Sequence, residues 1–134
     1  MGTLETKQFE SLTKLRQEQA ASMFLPNGLE EEAFIFSEVV YDSGFVRRLA
    51  IEFSYLNEPL QFLVVNTNAS SRIIDIEDFT VQSHNINNVE VTAYSDEQGF
   101  SVIEWELGQY RLELSGHISA EELLETGLAL GLFN

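Results

Sequence analysis

Two histidines and a few closely spaced acids are the residues of this chain whose types could do chemistry. His84 lies in the polar run VQSHNINN and His117 in SGHIS. A zinc site takes about three or four nitrogen, sulfur or carboxylate ligands. Neither histidine has a second one at ligand spacing and the chain has no cysteine, so both read as loop residues that hydrogen-bond and no metal is expected. Asp75, Glu77 and Asp78, and Asp96 with Glu97, offer oxygens to calcium. Calcium needs about six to eight oxygens from a loop with glycine and acids at fixed positions, and neither stretch has that pattern. Glu104 and Glu106 stand two apart on a predicted strand and so share a face. Glycoside hydrolysis uses such a carboxylate pair in a cleft, but the same spacing arises on any strand with an acidic side. No Gly-x-Ser-x-Gly elbow or glycine-rich phosphate loop is present, and Ser115-Gly116-His117 has no triad partner. The expectation is no catalytic residue, no metal and no cofactor. A hydrolase built on Glu104, Glu106 or a histidine ranks lowest. Asn68-Ala69-Ser70 is a formal glycosylation acceptor and reads as an exposed turn.

The aromatic residues carry more information. Phe34, Phe36, Phe45, Phe53, Phe62, Phe79, Phe100 and Trp105 all fall in predicted strands. Most must be core. A sheet this aromatic, covered only in part, can also leave an apolar concavity. The residues assigned to a possible apolar-ligand or partner surface are Phe34, Phe36, Phe53, Phe62, Trp105 and Tyr110.

The elements that must position these residues follow from periodicity. Phe9, Leu12, Leu15, Ala20 and Met23 recur near helical spacing and predict an N-terminal helix over about 7–24. The turn LPNG then stops it. From about 33 to 115 the pattern has period two, with about seven short strands joined by short turns. Short connections demand antiparallel neighbours. A helix over about 119–131 closes the chain. Ser119 is its N-cap and Glu122 stands three residues on, the pattern of a capping box. Gly127 and Gly131 each cost roughly 1 kcal/mol of helix propensity, which predicts a close approach of this helix to the sheet. The fold expected is α+β: a curved antiparallel meander of about seven strands, covered on one face by the two helices, in a single domain spanning 1–134.

Charge narrows the partners. The chain has 22 acidic and 7 basic residues and a net charge of −15. Phosphate backbones and anionic membranes repel such a surface, so nucleic acid is excluded and a protein partner or apolar ligand is expected. No apolar run reaches the roughly 20 residues that span a bilayer. The start, MGTLETKQFESLTK, is polar and does not read as a signal peptide.

The run from 100 to 130 also resembles a known family. Val102-Ile103-Glu104-Trp105, Gly108-Gln109-Tyr110-Arg111-Leu112 and Ile118-Ser119-Ala120-Glu121-Glu122-Leu123 are similar to a family of unknown function. That family occurs in extracytoplasmic lipoproteins and in the outer portions of anti-sigma-factor proteins of Gram-positive bacteria. Phe24-Leu25-Pro26-Asn27-Gly28-Leu29 resembles the turn after its first helix. The resemblance implies a shape like lipoprotein carriers, in which a curved sheet cradles apolar material, and it supplies no catalytic residues. It implies an extracytoplasmic location, at the cell surface or secreted, with a cytoplasmic one as the alternative. The function expected is a non-enzymatic binding or sensing module, with a carrier of an apolar ligand or lipid in a Phe-rich cavity as the alternative.

Overall fold

Residues that alternate between apolar and polar form strands because one face of each strand can then be buried. The computed structural model describes residues 3–67 and 79–133. Among these it contains β1 Leu4–Phe9, α1 Leu12–Leu15, α2 Gln19–Ser22, β2 Phe34–Asp42, β3 Phe45–Tyr55, β4 Glu58–Asn66, β5 Thr80–Ile86, β6 Val89–Ser95, β7 Ser101–Leu107, β8 Tyr110–Gly116 and α3 Ala120–Ala129. The result is an α+β domain with one open, wholly antiparallel sheet of eight strands, one more than expected.

The sheet order is β1-β2-β3-β4-β8-β7-β6-β5, so it is not one continuous meander. Two four-strand meanders join where β4 pairs with β8. That seam aligns their apolar faces. Ile51, Phe62, Leu114, Ile103 and Ala93 lie side by side across five strands, and Leu49, Val64, Leu112 and Trp105 form a second row. Leu12, Leu15, Ala21, Leu123, Leu124, Leu130 and Phe133 belong to the same core. The helical segments at both ends of the chain therefore pack on these rows.

Three two-residue hairpin loops have positive φ at both central residues: Ser43-Gly44, Leu56-Asn57 and Asn87-Asn88. This is the requirement of the hairpin turn whose twist matches that of the strands. The run VQSHNINN, expected to be a polar loop, accordingly forms most of β5 and its turn, and His84 is a strand residue. Of the run 72–83, read from its alternation as a strand, Thr80 to Ser83 lie in β5 and residues 72–78 fall outside the described residues. Ile74, Asp75, Ile76, Glu77, Asp78 and Asn68-Ala69-Ser70 lie outside the described residues.

The helix expected over 7–24 is the main correction. Residues 4–9 form the edge strand β1, paired along its whole length with β2, and only two single-turn helices follow. Ser11 has extended backbone angles and caps α1, accepting from the Lys14 amide at 3.4 Å. Glu18 is also extended and separates α1 from α2. Backbone pairing with β2 overrides a helical period that is real only for Leu12 and Leu15.

α3 carries its capping box. The Ser119 hydroxyl accepts from the Glu122 amide and the Glu122 carboxylate accepts from the Ser119 amide. At its C-terminus the amides of Gly131 and Leu132 donate to the carbonyls of Leu128 and Gly127. With Gly131 at φ 72°, this is a Schellman termination. It turns the chain so that Phe133 folds back against Gly127 and Trp105. The close approach that Gly127 permits is therefore to this ring rather than to the sheet.

Candidate functional site

An open groove of about 570 Å³ lies between the β3–β4 hairpin and α3. Tyr55, Leu56 and Glu58 form the hairpin wall. Ile118, Glu122, Glu125, Thr126 and Ala129 form the helix wall, and His117 stands at the entry to α3. The capping box fixes where α3 starts and therefore which side of the helix meets the hairpin. The imidazole of His117 makes an edge contact with Phe100, centroids 5.2 Å apart.

Leu56 is unusual at its position. It is 82% exposed and has φ 51°. A left-handed backbone costs an ordinary side chain roughly 1 kcal/mol, and asparagine or glycine normally occupies it. The hairpin thus holds a large apolar side chain in water, on a strained backbone, in a groove that Glu58, Glu122 and Glu125 also line. Leu56 was not singled out from the sequence. The signal was there in YLNEP: an apolar residue in a turn position, followed by asparagine.

A second groove, of about 520 Å³, lies on the polar face of the sheet, lined in part by Thr92, Glu104, Trp105, Glu106 and Arg111. Here Glu104 stands directly opposite Glu113, and Glu106 opposite Arg111. The Tyr94 hydroxyl donates to Glu104 at 2.9 Å, and Arg111 Nε lies 3.6 Å from Glu113. Glu104 and Glu106 do share a face, and each faces a charged group across the strand pair.

The remaining sequence-based sites are dispersed. Phe53 and Phe62 are fully buried, and Phe34 and Trp105 nearly so. Phe36 and Tyr110 are half-buried, with Tyr110 packed edge-on against Phe24. Phe62 and Trp105 stack at 6.3 Å, and Phe133 meets the Trp105 ring at 4.8 Å. His84 and His117 sit on different elements, one in β5 and the other beyond the end of β8. Asp96 accepts from the amides of Gln98 and Phe100, both at 2.9 Å, and so closes the β6–β7 turn. Among the described residues, no three acids or histidines come together as a metal-binding group, and no helix is long and apolar enough to cross a membrane.

A family model described as a domain of unknown function, DUF4367, matches residues 48–127. The chain belongs to this family. The DUF4367 match takes in most of β3, all of β4 to β8 and the first eight residues of α3. Both walls of the α3 groove fall inside it except for Ala129, whereas β1, α1, α2 and β2 lie before it. No curated protein and no solved structure matches the chain.

Proposed function

We propose that this domain is a non-enzymatic binding module that works outside the cytoplasm and recognises a protein segment in the groove between the β3–β4 hairpin and α3. The observation that carries the reading is Leu56, exposed and strained, in a groove that Glu58, Glu122 and Glu125 also line. An exposed apolar anchor in a groove lined by carboxylates complements a segment with an apolar side chain flanked by lysine or arginine. Strain held at an exposed position is a feature of sites that act on a partner. The extracytoplasmic location rests on the resemblance to lipoproteins and anti-sigma-factor outer portions. An apolar small ligand would have to use an open groove, because Phe53, Phe62 and Trp105 are packed into the core.

The test is selection from a random peptide library, followed by calorimetry on the enriched peptides. The expected result is enrichment of an apolar residue flanked by basic ones. Binding should weaken with salt and fall at least tenfold in Leu56→Asn and in Glu58→Gln/Glu125→Gln. Enriched peptides that bind these variants unchanged would overturn the assignment of the site. Defined lipid adducts in native mass spectrometry, with no peptide enriched, would replace this reading with the carrier.

A further inference from the structure

β5 is an edge of the sheet: it pairs with β6 on one side and with no strand on the other among the described residues. Exposed edges present unpaired amides and carbonyls, and proteins usually blunt them with lysine, proline or inward charge. β1, the opposite edge, carries Glu5 and Lys7, and Lys7 is tied to Glu18 at 3.3 Å. β5 reads TVQSHNI and has no charged residue and no proline. Every other strand carries at least one acid or base, in a chain of net charge −15. Among the described residues, the one strand without acids is thus an edge with no strand beyond it, and Val81 on it is 49% exposed.

We propose that β5 pairs with β5 of a second copy of this chain, so that two sheets join edge to edge about a two-fold axis. A second copy is the occupant the charge favours, because β5 is the segment of the sheet that can meet itself without bringing carboxylates together. Antiparallel self-pairing must keep the core face on one side, so the axis passes through a residue rather than between two. An axis at Ser83 pairs all seven residues. Val81 then faces Asn85, Gln82 faces His84, and Ser83 faces itself. Repulsion between two acidic bodies opposes the pairing and is screened over about 10 Å at moderate salt. Self-association should therefore strengthen with ionic strength, the reverse of an ion-pair interface.

Sedimentation velocity from micromolar to millimolar protein, at low and high sodium chloride, tests this. The expected result is a concentration-dependent shift toward twice the monomer mass, larger at high salt. Ser83 is exposed, so Ser83→Glu and Ser83→Lys keep the fold and place like charges face to face. Each alone should weaken association at least tenfold, and an equimolar mixture of the two should restore it as a heterodimer. Thr6→Glu, on the other edge, should have no effect. A monomer under every condition, a dimer insensitive to Ser83→Glu, or loss of the dimer in Thr6→Glu would each overturn the proposal.

Discussion

The ring of Phe133 occupies the space that a Cβ on Gly127 would need: its Cε2 would lie 2.6 Å and its Cζ 2.7 Å from that atom. Glycine inside a helix normally costs about 1 kcal/mol relative to alanine, so Gly127→Ala would stabilise an isolated helix. Here it forces Phe133, only 2% exposed, off Trp105. Overpacking of this kind costs about 1–3 kcal/mol, and a net loss of stability is expected in chemical denaturation. In a Phe133→Ala background, itself about 3–5 kcal/mol less stable, Gly127→Ala should become neutral or stabilising. Equal effects in both backgrounds would rule out the contact as the cause.

Leu56 offers a substitution that should raise stability. Asparagine tolerates the left-handed backbone that leucine resists. Leu56→Asn is expected to gain about 1 kcal/mol while losing peptide binding in the α3 groove. A melting curve with unchanged or lower Tm would show that the strain is not there.

Glu31 sets an acid limit on the N-terminal segment. Its carboxylate accepts from the Leu12 amide at 2.7 Å and from the amide and hydroxyl of Thr13. These bonds, the Leu12 amide first, lower its pKa from 4.5 to about 2. Because the folded value lies below the unfolded one, the stabilisation is full above about pH 4.5 and is lost as pH falls through about 2. Glu31→Gln should therefore be less stable than the parent at pH 7 and should lose less on acidification over that window. Parallel stability profiles for the two proteins would contradict this.

Tyr41 sets an alkaline limit on the same region. Burial first, then the hydrogen bond its hydroxyl donates to Glu18 at 2.7 Å, push its pKa well above the usual 10. A raised folded value means that the stabilisation is present below pH 10 and is lost as pH rises through the folded pKa. Tyr41→Phe should flatten the fall in stability above pH 10, measured by denaturant midpoints. An unchanged alkaline slope would count against this linkage.

The elements legible in the sequence were those governed by neighbours a few residues apart. Ser119 and Glu122 announce the start of α3, and alternation announces most strands, because capping and pleating depend on local spacing. β1 was misread because Leu4–Phe9 becomes a strand only by pairing with β2, some thirty residues away. The seam between β4 and β8, which makes two meanders one sheet, likewise rests on contacts fifty residues apart in the chain. The candidate site was the least legible part. Leu56 gains its meaning from its exposure and from Glu122 and Glu125, which α3 brings to the groove it lines. The sequence by itself determined an acidic α+β domain with an antiparallel sheet and a capped terminal helix, since composition and short-range periodicity carry that information. Tertiary structure alone decided which strands form the edges of the sheet, which aromatics are buried and which carboxylates share a groove with Leu56, because each depends on long-range packing that no local pattern encodes.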